Sequence, residues 1–311
     1  MNAVSERDRY RGCLVGLACG DAVGTTVEFK ARGTFPPVTD MAGGGPFGLV
    51  PGEWTDDTSM ALCLAHSLVY RQGFHPVDQM NRYCNWWNYG YMSSTGNCFD
   101  IGVTVAAALK RYLDTADPFA GSTDPHTAGN GALMRLAPVA MFYARCDADL
   151  LTFAADSTRT THGAREAIEC SRLFALQLQA ALAGAPKESL FAPPYPEPLS
   201  EKMAPLARGA YRGKTAAQIV GSGYCVASLE AALWCFDQTD SFEAAILTAA
   251  NLGDDADTTA AICGQLAGAH YGVAGIPAHW VRQLAMRDEI IALADALLAA
   301  RKGSGEIAKA I

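Results

Sequence analysis

Apolar residues recur along this chain at the three- and four-residue intervals of a helix, and almost nowhere at the alternating interval of a half-buried strand. Met60, Cys63, Leu64, Ser67 and Leu68 form one such face, and Ile101, Val105, Ala108, Leu109 and Tyr112 form another. Ile290, Leu293, Ala294 and Leu297 form a third near the C-terminus. Half of the 311 residues are apolar and only 18% are charged, so many of these helices must be enclosed on several sides. The expected fold is all-α, a compact orthogonal multi-helix bundle.

Two of the predicted helices begin in the same unusual way. Trp54-Thr55-Asp56-Asp57-Thr58-Ser59 stands at the head of the first stripe, and Asp254-Asp255-Ala256-Asp257-Thr258-Thr259 precedes Ala261, Ile262, Leu266 and Ala269. Thr, Asp and Ser are ordinary N-capping residues, but a cap needs one side chain. Two clusters with surplus like charges point instead to an oxygen-only pocket formed where the two helix mouths face each other. Hard divalent cations, Mg²⁺ or Mn²⁺, take carboxylate and hydroxyl ligands of this kind, and the number of carboxylates suggests two ions. Neither cluster has the His and Cys partners of a zinc site or the twelve-residue calcium loop. Helix N-termini also offer free N–H groups to a phosphate.

The formal net charge of -8 and the lack of any Lys/Arg run argue against a nucleic-acid surface. Ten cysteines include no C-x-x-C pair and read as reduced core residues. With no secretory leader over Met1 to Tyr10 and no transmembrane segment, the expected location is cytoplasmic.

Single residues stand out between the clusters. Tyr10 to Gly24 reads as a helix of small residues that permits close backbone approach. It leads to Glu28, a carboxylate among apolar and Thr residues that is either paired, near a metal or an ordinary surface Glu. Gly43, Gly45 and Gly48 match a dinucleotide-binding spacing, but no strand precedes them and no helix follows, so that fold is rejected. The aromatic stretch Pro76 to Tyr91 reads as a core helix rather than a base-stacking platform. Asp100, alone before a helical stripe, reads by default as an N-cap. Gly129-Asn130-Gly131 marks either a phosphate- or hydroxyl-binding turn or a simple helix start. Arg135 in the apolar run behind it needs a partner. His162 opens the helix Ala164 to Ala181, as a donor to a substrate oxygen or as a capping or surface residue. Further helices are expected over Ala216 to Val220, Cys225 to Phe236 and Phe242 to Ala250. The proline-rich stretch from Gly184 to Pro205 is the best candidate boundary. It reads as a surface crossover inside a single domain, 1–311, because the proposed pocket needs both acidic clusters.

Taken in order, these motifs resemble the ADP-ribosylglycohydrolase family. The resemblance rests on Gly20-Asp21-Ala22-Val23-Gly24 through Glu28, Thr55-Asp56-Asp57-Thr58, Asp100-Ile101-Gly102, Gly129-Asn130-Gly131-Ala132-Leu133-Met134-Arg135, Thr161-His162-Gly163 and Gly253-Asp254-Asp255-Ala256-Asp257-Thr258-Thr259. It implies an all-α fold around a central cleft with two Mg²⁺ or Mn²⁺ ions, held by Thr55, Asp56, Asp57, Asp255, Asp257 and Thr258. It implies catalytic roles for Asp100 and Glu28, and contacts to ADP-ribose from Gly129, Asn130, Gly131 and His162. The implied reaction is hydrolysis of the glycosidic bond between the distal ribose and a modified amino-acid side chain. The partner would be an ADP-ribosylated protein or small molecule, and the product free ADP-ribose. Arginine is the preferred acceptor, although Val103 stands where the arginine-processing branch often has Asn. Two alternatives share some of these features: a metal-dependent hydrolase of free nucleotide or diphosphate compounds, and a non-catalytic ADP-ribose-binding protein.

Overall fold

The computed structural model describes residues 4–301. Both ends of the expected unit 1–311, including Met1 to Ala3 of the stretch inspected for a leader, lie outside the described residues. Thirteen α-helices are seen among them. The first seven are α1 (Glu6–Gly24), α2 (Asp56–Arg71), α3 (Pro76–Tyr89), α4 (Val103–Thr115), α5 (Ala137–Phe142), α6 (Asp147–Arg159) and α7 (Arg165–Leu182). The rest are α8 (Met203–Ala207), α9 (Cys225–Asp237), α10 (Phe242–Ala250), α11 (Ala256–Tyr271), α12 (Ala278–Gln283) and α13 (Arg287–Ala300). Extended pairing is limited to isolated bridges, such as Gly44 with Leu49 in the glycine-rich loop. The all-α expectation holds, and no described helix is long and apolar enough to cross a membrane.

The centre of the bundle is the pair α1 and α11. Both are buried on nearly every side: Cys13 through Gly24 and Ala256 through Ala269 are enclosed without a break. They run antiparallel at a distance that only small residues allow. A Cβ on Gly268 would lie 1.9 Å from Gly12 O, and one on Gly16 would lie 2.4 Å from Gly264 O. Further along, a Cβ on Gly24 would lie 2.4 Å from Ala256 O. The small-residue reading of the first helix is thereby explained, and Gly264 and Gly268 answer it from α11: side chains are omitted so that two backbones can touch.

The main core surrounds this pair, with Phe142, Phe174, Phe236, Phe242 and Trp280 fully enclosed. A second, smaller core lies between α2, α3 and α4 and contains Met60, Met80, Tyr83, Trp86, Val105 and Leu109. Within the aromatic stretch, Tyr83 and Trp86 are core as expected, whereas Tyr89 is 80% exposed. The expected helix at Ala216 to Val220 is shorter, a single 3-10 turn over Ala216–Gln218 closed by a capping box from Thr215 and Gln218. Polar groups of the turn itself satisfy the backbone there, so the turn ends without propagating.

Candidate active site

The two acidic clusters do open helices, α2 and α11, but neither acts as a cap. Thr55 and Asp255 occupy the N-cap positions without a side-chain capping bond to a backbone N–H of their own helix. The N-terminus of α2 is satisfied from another helix. Asp21, in the last turn of α1, accepts hydrogen bonds from Thr55 N at 2.9 Å and Thr55 Oγ1 at 2.9 Å on one oxygen. Its other oxygen accepts from Thr58 N at 3.0 Å and Thr58 Oγ1 at 2.6 Å. One buried carboxylate therefore fixes the first turn of α2 against α1. Asp57 and the surplus cluster oxygens are left for another purpose.

The mouths of α2 and α11 meet in a reciprocal way. Thr258 Oγ1 donates to Asp57 Oδ1 at 3.1 Å, while Thr55 Oγ1 lies 3.3 Å from Asp257 Oδ2. Oxygens of Asp21, Asp57 and Asp257 lie within 4.8 Å of one another, and so do oxygens of Glu28, Asp100 and Asp257. Asp257 belongs to both groups and stands between them. Asp57 Oδ2 and Asp257 Oδ1 are fully enclosed and have no hydrogen-bond partner. Among the described residues no Lys, Arg or His forms an ion pair with any of these carboxylates. Buried carboxylate oxygens without a donor are strongly unfavourable unless a cation lies between them. The donor set, oxygen only, fits a hard divalent ion.

Electrostatics express the same conflict. Burial, followed by the charges of Asp100, Asp255 and Asp21, pushes Glu28 up to about 9. Burial and the neighbouring Asp21 and Asp255 push Asp100 up to about 7. Asp56, Asp57 and Asp257 stand well above the usual carboxylate range for the same reasons. Asp21 rises only to about 6, because the donors from Thr55 and Thr58 offset its burial.

These groups line a cavity of about 810 Å³. Glu28, Asp56, Asp100, Asp255, Asp257 and Thr258 line one part, and Gly129, Asn130, Gly131, His162, Ser222 and Gly223 another. Thr55 and Asp57 are buried directly behind this surface. Asp100 departs from its default reading as a cap: α4 starts at Val103 with Gly102 at its N-cap. Asp100 instead has left-handed backbone, φ 57°, and faces the cavity. Phe29 and Asp254, which also line it, share that conformation with φ of 63° and 54°.

His162 is buried, and burial together with nearby Arg135 lowers it to about 3. Arg135 Nη2 donates to Thr161 Oγ1 at 2.7 Å, and Thr161 Oγ1 is 2.8 Å from His162 Nδ1. With Arg135 donating to its oxygen, Thr161 has its hydroxyl proton available to Nδ1, an arrangement that goes with the imidazole proton on Nε2. Nε2 abuts the glycine turn: a Cβ on Gly129 would lie 3.2 Å from it, and one on Gly131 would lie 2.9 Å from Cε1 of the same ring. The glycines thus make room for the imidazole. Asn130 Nδ2 donates to Asp255 Oδ2 at 2.6 Å and to Ser228 Oγ at 3.0 Å, linking the turn to the second acidic cluster. The partner sought for Arg135 is a set: Gly131 O at 2.9 Å, Thr161, and the face of Tyr83 at 4.8 Å.

The sequence reading left Asp21 without a role, although a lone Asp inside a buried Gly/Ala helix is a signal in itself. It also missed the left-handed conformations at the cavity edge, which no spacing reveals.

Comparison with known proteins gives a consistent result. Residues 2–306 match the model of the ADP-ribosylglycohydrolase family. The ADP-ribosylarginine hydrolase Tri1 of Pseudomonas putida is 47% identical over 93% of this chain and 78% of its own length. The ADP-ribosyl-dinitrogen reductase glycohydrolase of Rhodospirillum rubrum is 31% identical over 96% of this chain and 98% of its own. A solved structure described as an ADP-ribosylglycohydrolase-related protein complex superposes with a TM-score of 0.86 at 46% identity, covering 96% of this chain and 99% of that one.

Proposed function

The chain belongs to the ADP-ribosylglycohydrolase family, and from that premise we propose that it is a metal-dependent hydrolase of ADP-ribosylated side chains. It cuts the glycosidic bond at the distal ribose, with arginine as the acceptor, and releases ADP-ribose and the unmodified residue. The observation that carries the proposal is the convergence of two carboxylate-bearing helix mouths on one cavity, with Asp57 Oδ2 and Asp257 Oδ1 buried and lacking a donor. A non-catalytic ADP-ribose binder has no use for that uncompensated charge. The arginine acceptor is supported by the 47% identity to a protein named ADP-ribosylarginine hydrolase.

In this reading Thr55, Asp56, Asp57, Asp255, Asp257 and Thr258 hold two divalent ions, Mg²⁺ or Mn²⁺. When bound, such ions supply positive charge at the ribose hydroxyls and make water more acidic. Asp21 holds no substrate; it orients Thr55 and Thr58 and so fixes the α2 half of the set. Asn130 orients Asp255 in the same way for the other half. The Glu28 and Asp100 pair, on the open side of Asp257, supplies the base that takes a proton from the attacking water. His162, neutral with its proton on Nε2, donates a hydrogen bond to a substrate oxygen beside Gly129 and Gly131.

The test is release of free ADP-ribose, by mass spectrometry, from arginine-linked and serine-linked ADP-ribosylated peptides, in Mg²⁺, Mn²⁺ or chelator. Metal-dependent release from the arginine-linked peptide is expected. No release from either peptide, with ADP-ribose still binding, overturns the hydrolase reading. An Asp100→Asn variant with full activity and intact metal binding would assign the base to Glu28.

A further inference from the structure

The carboxylate end of the cavity opens onto a row of aromatic rings that neither core nor proposed ion set accounts for. Phe29 lines the cavity next to Glu28 and is 69% exposed. Its ring centroid is 6.5 Å from that of Phe47 in an edge-to-face arrangement, and Phe47 is 5.2 Å from Phe99, the residue before Asp100. The three rings come from three separate loops. Phe29 is held there at a cost, since a bulky side chain at φ 63° is strained. The loop is tied in that shape by Phe29 N donating to Asp254 O at 2.8 Å and Asp254 N donating to Lys30 O at 2.8 Å. Strain at an exposed ring gains no core packing, so the ring's free face is available to a ligand.

Charge says which ligand. The cavity surface holds six carboxylates, Glu28, Asp56, Asp100, Asp254, Asp255 and Asp257, and no Lys or Arg. The His162 ring and the glycine backbone at Gly129 to Gly131, elsewhere on the cavity wall, suit the oxygen-rich part of a substrate. A group leaving from the Glu28 and Asp100 end passes acidic oxygens on one side and aromatic faces on the other. Planar cations bind well in that setting: a guanidinium stacks on a ring face while carboxylates neutralise it.

We propose that Phe29, backed by Phe47 and Phe99, is the acceptor-recognition face of this enzyme and selects arginine by stacking on the guanidinium of the bound substrate. This rests on the hydrolase reading above and adds to it the residues that set linkage preference.

The experiment compares wild type with Phe29→Leu, which keeps apolar bulk and removes the aromatic face, and with Phe29→Trp, which restores one. All are assayed as Mg²⁺-loaded enzymes on arginine-linked and serine-linked peptides, with ADP-ribose affinity measured by calorimetry. Phe29→Leu is expected to lower kcat/KM on the arginine-linked peptide about tenfold, mainly through KM. ADP-ribose affinity stays unchanged, any serine-linked rate is unaffected, and Phe29→Trp recovers most of the loss. Agmatine, a free guanidinium probe, should bind wild type and lose that binding in Phe29→Leu, a result that requires no turnover. Failure of wild type to release ADP-ribose would sink the hydrolase reading without touching the agmatine result. The recognition face is overturned if Phe29→Leu binds agmatine as wild type does, or if its loss on the arginine-linked peptide is matched by an equal loss of ADP-ribose affinity.

Discussion

The floor of the cavity and its rim are built on opposite principles. The floor, Asp57, Asp257 and the threonines beside them, projects from the first turns of α2 and α11, and these are fixed by Asp21 and by backbone contact between α1 and α11. The rim, Phe29, Asp100 and Asp254, lies in loops, and each of the three residues has a left-handed backbone that a non-glycine side chain disfavours. Electrostatic conflict runs through the floor and reaches the rim at Asp100, whereas the unfavourable torsions belong to the rim. Where geometry must be invariant, as for ion ligands, the chain uses packed helices and accepts repulsion. Where a substrate enters and leaves, it uses short strained loops.

The largest expected effect tests the floor. Asp257→Asn removes the residue common to both carboxylate groups and should lower kcat by about a thousandfold or more, with divalent binding lost by calorimetry. In chelator the variant should unfold no earlier than wild type, because a repelling charge has been removed. A variant that binds metal normally would show that the floor is only structural. Next, Asp21→Asn should cost about 10- to 100-fold in activity or metal affinity, the range for a group that orients ligands without touching the ion. Gly268→Ala, whose methyl would meet Gly12 O, should lower stability in urea by about 1–3 kcal/mol.

The pH response separates the two regions further. Glu28 and Asp100 stand at about 9 and 7 in the folded metal-free protein, above their values in an unfolded chain. Groups raised in this way contribute stability at low pH that is lost as pH rises through the folded value. Metal-free protein should therefore show an unfolding midpoint that falls from about pH 4, where the unfolded carboxyls ionise, up to about pH 9. Mg²⁺ should restore most at the alkaline end, as followed by calorimetric scans. A flat profile would mean that the carboxylates are compensated by something other than a cation. The smallest effect belongs to the rim. Phe29→Gly should leave stability unchanged or raise it by up to about 1 kcal/mol, since glycine relieves the left-handed strain and little packing is lost.

The floor was legible in the sequence and the rim only in part. Helical stripes with acidic mouths place Asp56, Asp57, Asp255 and Asp257 because helix periodicity and charge surplus are local properties. Gly264 and Gly268 likewise announce close packing. Asp21 was overlooked because its partners, Thr55 and Thr58, lie on another helix and only the fold brings them together. Asp100 was read as a cap because a left-handed residue three positions before a helix is indistinguishable in sequence from an N-cap. The glycines at 129 and 131 suggested a ligand-binding turn, and the structure adds a neighbour, the His162 ring, that also forbids a side chain there.

The contact of α1 with α11 also governs when the molecule becomes whole. Its partners stand near opposite ends of the chain, so the pairing has very high sequence separation and a large loop-closure cost. During synthesis α1 emerges before α11, and its small and apolar stretch from Gly12 to Gly24 lacks the surface it must cover until residues beyond 256 appear. The catalytic floor therefore assembles last. A truncated or stalled chain carries an exposed, glycine-lined helix that invites aggregation, and it carries no partially active site.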